Sequence, residues 1–492
     1  MNAALLETDR QHYGRTLAVL VIAALAFALQ QTMVAPALPA IQEDLGASAT
    51  TVTFVLTGFL LTASVSTPII GRLGDMFGKE RMLVICLIMF AAGSLVCALS
   101  HSIEVLIAGR AIQGSAAAVF PLSFGIIRDE FPAEKVGMGI GLISATFGIG
   151  GGAGLVLSGL IVDNVPYEWI FWFALPAILI AIVMTFLFIP ESPIKSPAKI
   201  DWGGAALLST TLVCLLVGVS EANSWGWGDT RIIGLFAASL IASVTWVRYE
   251  RGQPQPLVDI SMMRERAVFT TNATALLVGF GMFGSFILIP MLVQLPSESG
   301  VGFGATVTEA GLFMAPSAAI MLFAGPLAGW LGSRVGSRTP LMIGTALIVV
   351  SFAVLAAFHE TRGWIYASSA ILGLGIGFAF ASMANLVVEA VHPSKTGVAT
   401  GINTIMRTIG GSLGGQIAAT IVAAHVVAST GFPSAEGFEL AFALSAGVMV
   451  LAFLAAFAIP KSLPYAPERP VRSEATPATS RLAGSTASGG SQ

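Results

Sequence analysis

The stretch GRLGDMFGKER, residues 71–81, returns in altered form as GWLGSRVGSR at residues 329–338. Each copy follows the second apolar stretch of a series, and each combines glycines with basic residues. A second pair lies further along the chain. KVGMGIGLISATFGIGGGAG from Lys135 aligns with KTGVATGINTIMRTIGGSLG from Lys395, at a constant offset of 260 with the glycines largely in register. Self-similarity on this scale implies two halves that fold alike.

Outward from these motifs the chain reads as fourteen apolar spans: 16–38, 51–70, 82–99, 103–127, 136–162, 169–189, 202–219, 232–247, 267–292, 305–331, 341–358, 364–391, 397–427 and 438–459. A helix crossing about 30 Å of hydrocarbon needs roughly 20 apolar residues, because only intrahelical bonds can satisfy its backbone where there is no water. A content of 55% hydrophobic against 10% charged residues excludes a soluble chain of this length. Of the 24 Lys and Arg, all but Arg231, Arg362, Arg110 and Arg407 fall in the tails or in every second gap between spans. The positive-inside rule then places both termini in the cytoplasm of a cell with the chain in its inner (plasma) membrane, as an even number of crossings requires. Cys86 and Cys97 share one helix about 16 Å apart, beyond the roughly 7 Å reach of a disulfide, and Cys214 reads as apolar filler.

The expected architecture is all-α and integral to the membrane. Residues 1–15 form a cytoplasmic segment, 16–190 a six-helix bundle, 191–250 a linker with two inserted helices, 251–460 a second six-helix bundle, and 461–492 a disordered cytoplasmic tail. Paired homologous bundles can enclose a cavity that opens to either side by rocking. The five histidines are scattered, no metal-ligand spacing occurs and no nucleotide loop is present, so neither an enzyme nor a metal or nucleotide cofactor is expected. No nucleic-acid partner is implied, and a monomer is expected.

GRLGDMFGKER resembles the loop between spans two and three of the major facilitator superfamily, with Gly71, Asp75, Gly78 and Arg81 in the signature positions. LIAGRAIQGSAAA from Leu106 is similar to its fourth-span motif through Arg110, Gln113 and Gly114. Within that superfamily the chain resembles the fourteen-span drug:proton antiporters. The resemblance implies a secondary active exporter of small amphipathic compounds, with protons as the second solute and their gradient as the energy source. The chain departs from the pattern twice: Gln30 stands where such proteins carry a first-span acid, and Gly154-Leu155 replaces a fifth-span Gly-Pro.

Residues 71–81 read as a latch, in which Gly71 and Gly78 allow a tight turn while Asp75, Arg72, Lys79 and Arg81 reach helix ends of the opposite bundle. Arg110 and Arg407 lie at depth, where a guanidinium costs about 2.5–3.5 kcal/mol on insertion scales, so each must face a cavity or a partner. Arg110, Glu309, Glu389 and Glu104 are the candidates for proton coupling. Gln30, Gln31, Gln113, Asn385, Asn403, Arg407 and Gln416 are those for a substrate cavity, each with interhelical bonding as the alternative reading. Gly148, Gly150, Gly152, Gly154 and Gly159 are expected to pack helices closely. An Arg81→Cys variant should be modified by an impermeant maleimide only in everted vesicles; labelling from outside intact cells would reverse the orientation.

Overall fold

Where the sequence runs apolar the chain is helical, and the helices extend well past the apolar cores into polar caps. The computed structural model describes residues 13–192, 195, 199–427 and 431–461. Its helices are α1 Tyr13–Asp44, α2 Ala49–Phe77, α3 Lys79–Ala98, α4 Ile103–Gly114, α5 Val119–Glu130, α6 Ala133–Val162, α7 Trp169–Phe188, α8 Trp202–Trp225 and α9 Thr230–Gly252. There follow the short α10 Ile260–Arg264, α11 Arg266–Gln294, α12 Val307–Val335, α13 Arg338–Phe358, α14 Arg362–Ala390, α15 Thr396–Ala424 and α16 Ala435–Phe457. The expected tail lies almost wholly outside the described residues.

Thirteen spans, α4 and α5 together counting as one, are long and apolar enough to cross a membrane. The remaining long helix, α15, has 29 residues but carries Arg407 and a file of threonines. Thr400, Thr404 and Thr408 each return the hydroxyl to the carbonyl four residues back, at 2.7, 3.0 and 3.1 Å. Their polarity is spent within the helix. The fourth span is not one uniform helix as its apolar pattern suggests. Ser115–Ala118 tightens into a 3₁₀ turn between α4 and α5, at the place where Gly114 lies against the Phe59 carbonyl of α2.

Helices α1–α7 pack as one bundle and α11–α16 as another, and they meet along two seams: α2 against α15, and α6 against α12. A methyl group on Gly71 would overlap the Gly397 carbonyl, and one on Gly397 would overlap the Gly71 carbonyl. Across the other seam Gly329 and Gly137 stand in the same relation, as do Gly325 and Gly141. By the repeat alignment Gly329 answers to Gly71 and Gly397 to Gly137, so one backbone crossing is the pseudo-symmetric image of the other. Helix α6 uses its remaining glycines on two faces. Gly150 and Gly154 meet Ala28 and Thr32 of α1, whereas Gly148, Gly152 and Gly159 meet Met321, Ala318 and Thr308 of α12.

The two inserted helices differ from each other. Leu208, Leu212 and Leu216 of α8 join a core with Leu61 and Val65 of α2 and Ile402, Ile405 and Ile409 of α15, so α8 lies along the seam itself. Helix α9 presents Ile233, Leu240, Ile241 and Val244 outward, as a helix bordering lipid would. Gly141→Val should lower the thermal stability of the purified protein by about 1–3 kcal/mol, since a backbone carbonyl cannot step aside. Gly234→Ala, with open space at its Cβ, should be neutral or slightly stabilising in the same melt.

Candidate functional site

At the basic end of the bundles the 71–81 segment forms a buried electrostatic cluster. Asp75, in the last turns of α2, accepts hydrogen bonds from the backbone N–H groups of Gly397 and Val398, both at 3.1 Å. It thus caps the first turn of α15, where free N–H groups and the helix dipole favour a carboxylate. Lys79 bonds Asp129 of α5 at 2.7 Å and stands 3.7 Å from Asp75, with every side chain of the triad fully buried. Gly125 leaves room for the lysine, because a methyl there would press on its Cδ at 2.6 Å. Gly78 has φ +120° and no space for a side chain against Glu191.

Three expectations about this segment need correction: Gly71 makes no tight turn but lies within α2, where its missing side chain admits the Gly397 carbonyl, and two lysine and arginine contacts differ. Arg81 pairs with Glu191, 3.9 Å away at the exposed start of the linker, and does not reach the opposite bundle. Lys79 also stays within its own bundle. The cation that does cross is Arg128 of α5, which donates to Thr396 Oγ1 and to the Val391 carbonyl, both at 2.8 Å. Nothing in the motif marks it; its only sequence signal is a basic residue at a helix end opposite the repeat's glycines. Arg72 lines a small space beside Lys199 and Asp201 at the base of α8.

The second half repeats this arrangement with weaker chemistry. Ser337 stands where Lys79 does and donates to Glu389 Oε1 at 2.7 Å, as Lys79 does to Asp129. Ser333, the counterpart of Asp75, bonds only its own helix. In its place Asn385 Nδ2 reaches the Gly137 carbonyl at 3.4 Å across the seam. Beside the latch, Lys395 and Asp259 pair at 2.7 Å. Burial pushes the Asp259 carboxyl up, but the hydrogen bonds from Lys395 and Ser261 and the Lys395 charge outweigh it and hold the group at about 2, below the ordinary 3.8. That pair is therefore intact above pH 3.8 and lost only as pH falls through about 2, so it does not sense pH near neutrality.

Deeper in the first bundle, Arg110 is 1% exposed and has no carboxylate partner among the described residues. Its Nη1 donates to Gln113 Oε1 at 2.7 Å, and its Nε donates to the Val55 carbonyl at 3.4 Å. Gln113 Nε2 donates to Ser94 Oγ at 2.8 Å, and Ser94 Oγ donates to Gln30 Oε1 at 3.0 Å. Arg110, Gln113, Ser94 and Gln30 thus form one chain linking α4, α3 and α1. Gln30 and Gln113 are committed to each other through it. The Gln30 amide nitrogen and Arg110 Nη2 remain buried without a partner.

Arg407 is the twelfth residue of α15, near its middle, and is 7% exposed. Its guanidinium lies 4.2 Å from the ring centre of Phe380 on α14 and 5.6 Å from that of Phe147 on α6. Phe147 is its own repeat counterpart, so the two equivalent positions meet between the bundles. The rings continue from there: Phe147 to Phe120 at 5.3 Å, Phe120 to Phe27 at 6.0 Å and Phe27 to Phe59 at 5.9 Å, where Arg110 covers Phe59 at 4.2 Å. Both buried arginines therefore end one row of phenylalanines that passes from bundle to bundle. Periodicity could not reveal the row, because its five rings come from five helices.

The other acids lie away from this row. Glu309 is exposed and closes a capping box with Thr306 at the start of α12, at 2.9 and 3.2 Å. Glu104 is exposed in the first turn of α4. Glu221 was hidden from the span pattern, which ends at residue 219, but α8 continues to Trp225 and buries Glu221 with Oε2 unpartnered. Asn403 donates to Asn272 Oδ1 at 2.9 Å within the second bundle. Gln416 accepts from Asn223 at 2.6 Å and ties α15 to α8, while Thr57 of α2 meets Ser220 of α8 at 3.0 Å. Gln31 lies partly buried on α1 beside Gln30.

A family model described as Major Facilitator Superfamily matches residues 20–415. The Tetracenomycin C resistance and export protein of Streptomyces glaucescens is 30% identical over 388 residues, 78% of this chain and 71% of that protein. Multidrug resistance protein 3 of Bacillus subtilis is 28% identical over 384 residues, 77% of this chain and 74% of that one. Among solved structures, the human organic anion transporter MFSD10 (TETRAN) shares the fold, with a TM-score of 0.65 at 18% identity over 90% of this chain and 99% of that one.

Lys79→Met would leave Asp75 and Asp129 buried without their cation and should cost about 3–5 kcal/mol of stability. Adding Asp129→Leu should restore most of the loss in the same thermal melt; a double variant no better than the single one would show that the triad does not act as a unit.

Proposed function

The chain belongs to the Major Facilitator Superfamily, a family of membrane transporters and not of enzymes, and from this membership we propose that it exports amphipathic, drug-like compounds by alternating access coupled to proton antiport. The export assignment is supported by the resistance and export proteins of similar length to which the chain is related. Alternating access is supported by one observation above the rest: Asp75 of one bundle caps α15 of the other at the basic end, a contact that an opening toward the cytoplasm must break. In this reading both termini and the 71–81 latch are cytoplasmic, and the row of phenylalanines borders the substrate path.

For the proton, Glu221 joins Arg110, Glu309, Glu389 and Glu104 as a candidate. Glu221 is favoured by its place within α8, buried with Oε2 unpartnered. One elementary charge moving down a 100 mV potential supplies about 2.3 kcal/mol, enough for roughly a fifty-fold gradient of a neutral substrate.

A second reading, an uncoupled facilitator of the same fold, is favoured by a specific feature. The position that carries an acid in the antiporters is Gln30 here, and the buried Arg110 is bonded to amide and carbonyl groups. Everted vesicles with an acidified lumen separate the two. Substrate-induced alkalinisation supports antiport, and flux that ignores the proton gradient supports the facilitator. Asp75→Asn should slow transport at least ten-fold while leaving substrate affinity within about two-fold, and an unchanged rate would remove the latch from the mechanism. Glu221→Gln should abolish proton dependence if that residue carries the coupled proton.

A further inference from the structure

The row of phenylalanines ends, in the second bundle, on a cation without a counter-charge. Arg407 has no hydrogen bond or ion pair among the described residues, although it is more than nine-tenths buried and a guanidinium stays protonated in a protein. Its backbone is pressed against Gly279 of α11, which leaves the side chain to extend toward α6 and α14 and therefore into the seam between the bundles. What it meets there is two ring faces. These attract a cation, but they replace only part of the hydration it has lost. The buried carboxylates of the described residues are elsewhere, among them Asp75 and Asp129 in the latch, Glu221 on α8 and Glu250 at the foot of α9, where Trp246 donates to it at 3.0 Å.

Arg110 at the other end of the row is a different case. Two of its nitrogens are bonded, and its position is fixed by the Gln113–Ser94–Gln30 chain. Arg407 presents a whole guanidinium that makes no hydrogen bond among the described residues, and a lone cation there repels a cationic ligand as firmly as it attracts an anionic one. We infer that Arg407 selects substrates by charge, taking flat aromatic compounds that carry an anionic group, with carboxylate the simplest. The anion meets the guanidinium in a charge-assisted, bidentate contact. The aromatic body lies along Phe380 and Phe147, whose centroids are 5.4 Å apart. This deepens the export reading by naming the substrate class, and it is independent of what drives transport.

The test uses the full-length protein in lipid nanodiscs with three fluorescent probes of one shape: anthracene carboxylate, anthracene carboxamide and aminomethyl anthracene, which is cationic at neutral pH. The wild type should bind the carboxylate at least about ten-fold more tightly than either other probe, the size of one net hydrogen bond to a charged group. Arg407→Gln should erase that preference, and Arg407→Lys should keep part of it. Phe380→Leu should weaken all three probes together. Because the wild-type ranking needs no variant to fold, it decides alone: equal affinities, a preference for the amine, or no saturable carboxylate binding overturns the inference. An Arg407→Gln protein that keeps the preference overturns it also. Flux in vesicles separates this result from the export reading. Carboxamide export without charge preference leaves export standing and removes the anion site, whereas carboxylate preference in binding with no flux of any probe does the reverse.

Discussion

Backbone touching backbone at paired glycines sets what the rest of this molecule can do. Where Gly71 meets Gly397 and Gly137 meets Gly329, two helices from different bundles approach until carbonyl oxygens fill the space a methyl group would need. Close approach maximises dispersion between helices, which matters in a membrane because lipid tails give apolar helices no reason to leave them. It also makes the seam divisible. No side chains interdigitate at those points; the side-chain core of the α2–α15 seam lies further along it, where Leu61 and Val65 pack with Ile402, Ile405 and Ile409. Among the described residues the polar groups that cross the seam are few: at the basic end Asp75 on the α15 terminus, Arg128 on Thr396 and the Val391 carbonyl, and Asn385 on the Gly137 carbonyl, and at the opposite end Thr308 of α12 on Asp163 after α6, at 3.2 Å.

The two halves repeat in backbone but not in charge. Lys79 with Asp129 becomes Ser337 with Glu389, Asp75 becomes Ser333, and Arg407 faces its own counterpart Phe147. Charge on one side of a symmetric hinge and neutral hydrogen bonds on the other give the seams different strengths. The α2–α15 seam is the one so reinforced at the basic end, and it is also the one along which α8 lies, bonded to α2 through Ser220 and to α15 through Asn223. Any separation of α2 from α15 must carry α8 with one partner or the other. The insertion is thus a part of the interface between the bundles.

Much of the fold could be read from the sequence because its determinants are local. Length and apolarity define spans, and glycine repeats define pairing. The apolar pattern found α15, whose threonines hide their hydroxyls within the helix, but it ended the α8 span at residue 219, and Glu221 is buried by neighbours that no local window contains. The site was less legible. The motif located Asp75, but its partner N–H groups lie more than three hundred residues away, and Arg128 carries no motif at all. Glu309 looked like a carboxylate at a membrane boundary and is a helix cap, a role that Thr306 three residues before it already signals. Gln30, Gln113, Asn403 and Gln416 looked alike in sequence, and only packing separates the bundle-internal pairs from the tie to α8.

The most direct measurement is the distance between spin labels at Phe77, on the exposed end of α2, and His392, just before α15, read by double electron–electron resonance in nanodiscs. A seam built to part gives two distance populations: a short one matching the closed contact of Gly71 and Gly397, and a longer one whose share changes when substrate or a proton gradient is supplied. A single narrow distance that neither substrate nor pH alters would contradict the rocking of two bundles about these glycines.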